Sequence, residues 1–415
     1  MKQTLVVLYR NFYVGGIETN FADIMKNALR KNRRVIWVGD IGMQYDPLFS
    51  GLMENNSLEK VCMNYSPIKS LPVPDLQFGE DEEVCITVTS IRSLYIAYKI
   101  REKHPTVKIK IFYIVPLFTG CSIFLEQSFK VFLHSWIKNY TKNFYQRVYN
   151  HHSLHFFSKT FANAIESAYD IKLNDSYKYC VPYVKEREPF NPEYILENRK
   201  KGIFTIVSAG RFEYPHKGFA LGLVESFTTI HSKYPNTKLV FIGDGPDKSK
   251  LLDKIKQQPV DVQECIQIVP PVSKDELTAL FKQYDLNISV AGCATIGARA
   301  GVPTLPARHY YEKCEVYGFF PDSKDLTTER KPGIPVEDFI EQAINMTDTE
   351  YLKLASDTYH CFDNVQVDTD YPFSFDCDTS YIPSKKEYIL AKLIYIKQRI
   401  DYQLAKFRKK GTEKN

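Results

Sequence analysis

The chain has 415 residues, of which 44% are hydrophobic, 25% charged and 14% aromatic. This composition is typical of a globular protein and excludes a collagen-like, low-complexity or disordered chain. The formal net charge is +5, but residues 385–415 hold ten Lys or Arg against three acids, which leaves the rest of the chain at −2. The basic excess belongs to the C-terminal tail, so the sequence predicts no nucleic-acid partner.

Short strands and helices alternate along the first part of the chain. Apolar runs rich in β-branched and aromatic residues predict strands at residues 5–9, 34–38, 85–89 and 110–114. Apolar residues at helical spacing predict helices at 20–29 and 91–101. Nearly continuous apolar strands that alternate with helices indicate a parallel sheet covered on both faces.

The alternation starts again after a polar stretch that contains prolines, residues 184–201. Strands are predicted at 204–208, 238–242 and 266–269, and helices at 219–233 and from 248 onward. The fold class is therefore α/β, with an N-terminal domain at 1–188 and a C-terminal domain at 200–383. Parallel sheets of this type bind ligands at the carboxyl ends of their strands, so we expect a substrate cleft between two facing domains.

Two basic helices are candidates for contact with an anionic membrane surface. A helix at 384–410 carries an apolar stripe, and we expect it to complete the N-terminal domain. A second helix, around Trp136, has an aromatic stripe that ends at Phe144 and is flanked by Lys142 and Arg147. Both stripes also fit packing against the protein's own core, so the alternatives of a membrane-facing and a core-facing helix stay open.

Neither a secretory signal nor a membrane span is predicted. The first apolar run, residues 5–8, is too short for a signal sequence, and the longest uncharged run, 111–125, falls short of the ~20 residues of a spanning helix. Nine scattered cysteines without a C-x-x-C pair indicate a reducing compartment. We therefore expect a cytoplasmic protein.

The loop after the strand at 204–208 is the most informative segment of the sequence. Gly210 and Arg211 follow the strand, and Lys217 and Gly218 begin the next helix. Arg211 can offer a bidentate fork to phosphate oxygens and Lys217 a point charge, a pair suited to stabilising a departing diphosphate. From these residues alone, two ordinary surface cations are an equal alternative.

This loop and the segments after it resemble the GT-B glycosyltransferases of the family 4 type, which transfer sugars from nucleotide donors. The matching segments are residues 206–219, 239–246, 271–286 and 301–303. At the N-terminal end, Gly15 and Gly16 resemble the Gly-Gly loop of that family, and Ser158 stands where the family has a serine at the end of a strand. The resemblance covers roughly residues 3–365.

The resemblance implies the GT-B fold, in which two Rossmann-like, doubly wound parallel-sheet domains face each other across a cleft. It implies an acceptor-side N-terminal domain and a C-terminal domain that binds the nucleotide sugar. The resemblance also implies that Arg211 and Lys217 take the catalytic role that Mg²⁺ has in other glycosyltransferases, with retention of anomeric configuration. No metal and no cofactor are predicted, since the nucleotide-diphosphate sugar is a substrate.

A second loop before Gly301 is predicted to bind substrate. It resembles the Gly-Ala-Ser-Thr loop of the lipid-linked N-acetylglucosaminyltransferase of peptidoglycan synthesis. Its predicted binding residues are Gly292, Cys293, Ala294 and Thr295. We expect backbone amides here and at Gly15 and Gly16 to approach phosphate closely. Gly243 and Gly245 are interpreted instead as turn residues that shape the fold.

Two departures from the family pattern are present. The family carries two glutamates before its Gly-x-Pro signature, the second of which binds the donor ribose, whereas residues 289–301 contain no acid. The N-terminal domain also lacks the histidine often found in the family, because Thr89-Ser90 and residues 115–116 stand in its place. The D-x-D motifs at 368–370 and 376–378 are interpreted as a solvated loop.

The sequence thus predicts transfer of a hexosyl or N-acetylhexosaminyl group from a nucleotide-diphosphate sugar, with a UDP-sugar as one candidate donor. The predicted acceptor is a growing, lipid-linked glycan of a bacterial surface polysaccharide, met at the inner face of the cell membrane. The alternative is a non-catalytic GT-B subunit that stabilises or positions a partner glycosyltransferase, which the missing glutamates favour. A GT-B sugar-nucleotide epimerase is a third hypothesis.

Overall fold

The computed structural model describes residues 2–65, 73–113, 134–156, 169–173, 187–309, 311–323, 332–363 and 369–374, together with residues 162, 165, 166 and 389. The chain divides into two compact units. The first comprises Met1–Val184 with Gln366–Asn415, and the second comprises Lys185–Val365.

The first unit is built on a six-stranded parallel sheet. Its strands are β1 (Lys2–Leu8), β2 (Arg34–Asp40), β3 (Leu58–Met63), β4 (Glu82–Val88), β5 (Lys108–Tyr113) and β6 (Leu154–Phe156). Its helices are α1 (Gly16–Arg30), α2 (Ser50–Met53), α3 (Ile91–Lys103) and α4 (His134–Asn150), with a 3-10 turn at Pro47–Phe49. The strand order is β3-β2-β1-β4-β5-β6, and all neighbours are parallel.

Apolar side chains cover both faces of this sheet. Val6 and Leu8 of β1 belong to one buried cluster, and the alternate residues Leu5 and Val7 belong to another. Since successive side chains of a strand point to opposite faces, the two clusters lie on opposite sides of the sheet. Each fully buried large apolar side chain stabilises the fold by roughly 1.5–3 kcal/mol. The predicted parallel sheet covered on both faces is confirmed.

The second unit repeats this plan with five parallel strands. They are β7 (Phe204–Ala209), β8 (Thr237–Ile242), β9 (Ile266–Val269), β10 (Leu286–Ser289) and β11 (Thr304–Pro306). A short antiparallel pair, β12 (Glu315–Val316) and β13 (Ile334–Pro335), follows. The helices are α5 (Pro192–Lys200), α6 (Phe219–Lys233), α7 (Lys248–Lys256), α8 (Val260–Glu264), α9 (Lys274–Phe281), α10 (Ala291–Arg299), α11 (Phe320–Ser323), α12 (Val336–Asn345) and α13 (Asp348–His360).

In each large sheet the strand order reverses beside the first strand of the unit. β1 lies between β2 and β4, and β7 lies between β8 and β10, in the order β11-β10-β7-β8-β9. Ligands of doubly wound sheets bind outside the carboxyl ends of the strands at such a reversal, called the switch point. The loops after β7 and β10 therefore hold the favoured ligand position of the second unit.

Glycines bring the loops after β7 and β8 into close backbone contact. A Cβ atom on Gly243 would overlap the carbonyl oxygen of Gly210, and one on Gly245 would overlap the carbonyl oxygen of Phe212. The amide of Phe212 also donates a hydrogen bond to the carbonyl oxygen of Asp244 at 2.9 Å. The interpretation of Gly243 and Gly245 as residues that shape the fold is confirmed.

Residues 369–374 pack on the first unit. Tyr371 is 1% exposed within the apolar cluster of that unit, and its hydroxyl lies 3.5 Å from Oγ1 of Thr87. The carboxylate of Asp370 accepts hydrogen bonds from Lys31 at 2.7 Å and Arg33 at 2.5 Å. The predicted second domain extends to residue 383, whereas the chain returns to the first unit at Gln366, where Tyr371 is buried and Asp370 pairs with Lys31 and Arg33.

The C-terminal half of α4 packs into the core of the first unit. Phe144 is 5% exposed, and the ammonium of Lys142 lies 3.1 Å from the carboxylate of Asp170. For Phe144, the core-facing alternative is therefore confirmed. Among the residues that the structure describes, no helix has the length and apolar character to cross a membrane. The predicted helix at 384–410 lies, except for Ile389, outside the described residues.

Candidate functional site

The loop after β7 carries both predicted cations at the carboxyl edge of the second sheet. Gly210 has a φ of +153°, and a Cβ atom there would lie 2.6 Å from Nζ of Lys217. The ammonium group of Lys217 therefore lies directly against the end of β7, in space that only a glycine leaves open. Arg211 is half-buried, and its Nε lies 3.5 Å from Oε2 of Glu213. Both cations follow the same strand at the switch point.

The helix α10 begins on the other side of the switch point, after β10. Its N-cap residue is Val290, whose side chain cannot accept a hydrogen bond, so no side chain caps the first amides of the helix. Uncapped amides and the helix dipole favour an anion at this end. The first five residues of the helix include the four predicted binding residues, Gly292, Cys293, Ala294 and Thr295.

Lys217 lies close enough to this first turn to act on it electrostatically. Burial raises the pKa of the Cys293 thiol, and the positive charge of Lys217 opposes that rise. Cys293 is thus a protonated thiol at neutral pH, which does not favour a role as a nucleophile. The structure therefore places Lys217 within electrostatic range of Cys293, near the start of α10.

A buried polar network fixes α10 on the sheet. The side-chain amide of Asn287 donates a hydrogen bond to the carbonyl oxygen of Cys293 at 3.3 Å. Its Oδ1 accepts one from Ser289 at 2.7 Å, and the Ser289 hydroxyl accepts one from the amide of Ala209 at 2.9 Å. A Cβ atom on Gly297 would overlap the side-chain amide of Asn287. The network links β7, β10 and the start of α10.

Two histidines that the sequence analysis did not single out lie beside Lys217. His216 precedes Lys217 in the chain, and His309 follows β11. Nδ1 of His309 lies 3.4 Å from Nε2 of His216, and the two rings stack with centroids 5.5 Å apart. The sequence signal that could have pointed to His309 is its position directly after a strand, at the carboxyl edge of the sheet. Its partner is 93 residues away, so no local motif joins the two.

The predicted glycine loop of the first unit already holds a carboxylate. Gly15 is the N-cap residue of α1, and Gly16 is its first residue. A Cβ atom on Gly15 would overlap the carboxylate of Glu18, which also accepts a hydrogen bond from the Tyr9 hydroxyl at 2.8 Å. A Cβ atom on Gly16 would meet nothing within 4 Å, so packing does not require this glycine. Gly15 and Gly16 lie in a different compact unit from the other predicted residues.

The remaining candidates have structural roles where the structure describes them. Ser90 caps α3 by accepting a hydrogen bond from the amide of Ser93 at 3.2 Å. His155 is a core residue of β6 and is 1% exposed. Within the described ranges, no three His, Cys, Asp or Glu side chains are grouped to hold a metal ion. Ser158, Asp368 and residues 115–116 and 376–378 lie outside those ranges.

No protein-family model matches the chain, and no curated protein sequence matches it. Several solved structures, in contrast, are similar to it. HepE from Anabaena, in complex with UDP and glucose, is 13% identical over 88% of this chain and 95% of its own, with a TM-score of 0.56. WaaG, a glycosyltransferase involved in lipopolysaccharide biosynthesis, is 13% identical over 87% of this chain and 95% of its own, with a TM-score of 0.52.

TarM from S. aureus, in a complex that contains UDP, is 9% identical over 94% of this chain and all of its own, with a TM-score of 0.53. At such identities the likeness shows the fold alone. The chain has the two-domain α/β architecture of the GT-B glycosyltransferases, as the sequence predicts. Membership of family 4 stays a prediction.

Proposed function

We propose that this chain is a glycosyltransferase that moves a sugar from a nucleotide-diphosphate donor to a glycan acceptor. One observation supports the proposal: Lys217 and the uncapped start of α10 follow the two strands that flank the switch point of the second unit, and Lys217 acts electrostatically on Cys293 of that helix. A fixed ammonium group beside a helix start is suited to a diphosphate. The likeness to WaaG and to two proteins solved with UDP supports this choice over other doubly wound proteins.

In this mechanism, the bond between C1 of the donor sugar and the diphosphate oxygen breaks. A bond forms between C1 and the acceptor hydroxyl oxygen, and the hydroxyl proton passes to an oxygen of the departing diphosphate. Negative charge grows on that diphosphate as it leaves, so Arg211 and Lys217 bind the transition state more strongly than the ground state. Retention of configuration is part of the proposal, and NMR of the anomeric proton of the product tests it.

Titration calorimetry with UDP, GDP, dTDP and inorganic pyrophosphate tests the proposal first. We expect at least one nucleoside diphosphate to bind, with UDP the first candidate because HepE and TarM were solved with it. Binding should be lost in Lys217→Ala and kept in Lys233→Ala, a matched control whose ammonium pairs with Glu341 on the surface of the same unit. A screen of UDP-hexoses and UDP-N-acetylhexosamines for donor hydrolysis then identifies the transferred group.

A specific observation favours a second candidate function. The described residues of α10 include no acid, so the family's ribose-binding glutamate has no counterpart on this helix. This favours the alternative of a non-catalytic subunit that stabilises a partner glycosyltransferase. Absence of binding for all four probes would support it and contradict the catalytic proposal.

We extend the proposal to a lipid-linked acceptor met at an anionic membrane surface. The basic residues that the sequence carries around Trp136 and in the predicted helix 384–410 support it, since each Lys or Arg near such a surface contributes about 1 kcal/mol. Flotation with vesicles that contain anionic lipid should occur at low salt and fall steeply by 0.15 M, where the Debye length is about 8 Å. Equal flotation with neutral vesicles, or none with either, contradicts this part of the proposal.

A further inference from the structure

The loop 210–218 is fastened to two different segments of the second unit. Its first half lies along the loop after β8, where the amide of Asp247 donates to the carbonyl oxygen of Phe212 at 3.1 Å. In addition, the amide of Tyr214 donates to the carboxylate of Asp247 at 2.7 Å. These bonds fix the half that carries Arg211. They do not reach the half that carries Lys217.

The second half of the loop lies against the segment after β11. A Cβ atom on Gly218 would lie 2.9 Å from the carbonyl oxygen of Tyr311, and one on Gly222 would overlap the carbonyl oxygen of Glu312. The backbone around Lys217 therefore packs on residues that follow β11, two strands away from β7 in the sheet. The pair of His216 and His309 is the side-chain contact between these two segments.

The two histidines make this contact without adding a charge. A hydrogen bond between Nδ1 of His309 and Nε2 of His216 needs one nitrogen that donates and one that accepts, so at least one ring is neutral. Burial lowers the pKa of His309 to about 3, and His216 and Lys217 add to that effect. Burial and Lys217 also lower the pKa of His216. At neutral pH, Lys217 therefore has two uncharged rings beside it.

We propose that His309 is a positioning residue for Lys217 and acts on it through His216. The inference rests on the proposed function, because it requires Lys217 to bind a phosphate group. His216 is the chain neighbour of Lys217, so a hydrogen bond that fixes its ring also restrains the backbone from which the Lys217 side chain extends. The ammonium group lies over Gly210, and a displacement of about 1 Å can cost a site ~10²-fold in efficiency.

Four variants separate positioning from packing. His309→Phe keeps a stacked ring and removes the hydrogen bond, whereas His309→Asn places a polar atom near the position of Nδ1 and keeps it. His216→Phe removes the same bond from the other side. His231→Phe is the matched control, because His231 also makes one ring-nitrogen hydrogen bond, to Thr237 at 3.1 Å, and packs on Phe227 at the far end of α6.

The probe is inorganic pyrophosphate, measured by titration calorimetry, with thermal unfolding as the check on folding. We expect His309→Phe and His216→Phe each to weaken pyrophosphate binding by ~10-fold. The double variant should bind no more weakly than either single variant, because both substitutions remove the same hydrogen bond. His309→Asn should bind within ~3-fold of the wild type, and His231→Phe should bind as the wild type does.

Two results overturn the inference, and they are distinguishable. If Lys217→Ala loses pyrophosphate binding while both phenylalanine variants keep it, His309 does not position Lys217 and the proposed function stands. If the wild type binds neither pyrophosphate nor any nucleoside diphosphate, the proposed function fails and this inference fails with it. Should His309→Phe not fold, His216→Phe and the asparagine variant decide the question by the same criteria.

Discussion

The side chains of Lys217 and Arg211 differ in how closely the protein packs against them. The ammonium of Lys217 lies against Gly210, whereas the side chain of Arg211 is 39% exposed and has Glu213 at 3.5 Å. Replacement of either residue by Ala should lower turnover by roughly 10²-fold or more, because each removes a charge whose contact strengthens as the diphosphate leaves.

Steady-state kinetics with the donor identified by the screen checks this prediction. The loss should appear in the KM for the donor and also in kcat, since these contacts bind the diphosphate in the ground state and strengthen in the transition state. Lys233→Ala serves again as the control. Full activity in both variants would remove these two residues from the catalytic assignment.

Asp285 is a buried carboxyl at the opposite edge of the second sheet. Its Oδ2 accepts a hydrogen bond from the amide of Thr205 at 2.7 Å, yet burial raises its pKa to about 6, against the opposing effects of that bond, Arg199 and Lys201. The folded state thus binds this proton more tightly than the unfolded state. The contribution of Asp285 to stability is therefore present below pH 4 and is lost as the pH rises through 6.

Asp285→Asn should consequently stabilise the protein at neutral pH. The amide keeps an acceptor for Thr205 and carries no charge, so we expect a gain of about 2 kcal/mol in the free energy of unfolding at pH 7.5. The gain should shrink toward zero near pH 4. Urea unfolding of both proteins at the two pH values measures it, and an equal difference at both would contradict the assigned pKa.

At the scale of the element, two glycines of α10 should respond in opposite ways to substitution. A Cβ atom on Gly292 meets nothing within 4 Å, whereas one on Gly297 overlaps the buried side chain of Asn287. Gly292→Val should therefore leave the melting temperature nearly unchanged and abolish pyrophosphate binding, because the branched side chain fills the approach to the helix start. Gly297→Val should cost about 1–3 kcal/mol of stability.

Calorimetric titration and thermal unfolding of the two variants provide the comparison. Gly297→Val, where it remains folded, should still bind pyrophosphate better than Gly292→Val. Unchanged binding in Gly292→Val would move the phosphate site away from the first turn of α10.

Elements with a strong local pattern could be predicted from the sequence. The helix α6 and the strand β9 have the predicted bounds, Phe219–Lys233 and Ile266–Val269, because apolar residues at the expected spacing fill both. The edge strand β3 was not predicted. Its consecutive residues Glu59 and Lys60 are both exposed, so it lacks the continuous apolar run of a buried strand.

The candidate site was predictable only in part. Arg211 and Lys217 follow a strand that the sequence predicts, and the residues of α10 were predicted from the family resemblance. The strand order that puts both segments at one switch point is seen only in the structure. The pairing of His216 with His309 could not be inferred, because it depends on how β11 is placed in the sheet. The carboxylate of Glu18 at the Gly15 turn was also missed, since its side chain folds back on its own helix start.

At the scale of the whole molecule, Tyr371 links a late segment of the chain to the core of the first unit. Its ring lies with Leu5, Val7 and Trp37 in one apolar cluster. Tyr371→Ala should cost about 3–5 kcal/mol, as removal of a large buried aromatic ring does. Hydrogen exchange should accelerate in β1 and β4 and stay unchanged in β7 and β8. Equal acceleration in both sheets would contradict this prediction.

The place of Tyr371 also sets an order of events during synthesis on the ribosome. The ribosome translates all residues of the second unit before Asp370 and Tyr371. Until Tyr371 is made, part of the apolar core of the first unit therefore stays uncovered. A truncated chain that stops at residue 184 lacks the segment 369–374 and with it the Tyr371 ring. We expect such a fragment to need a chaperone, or the missing segment added as a peptide, to stay dissolved.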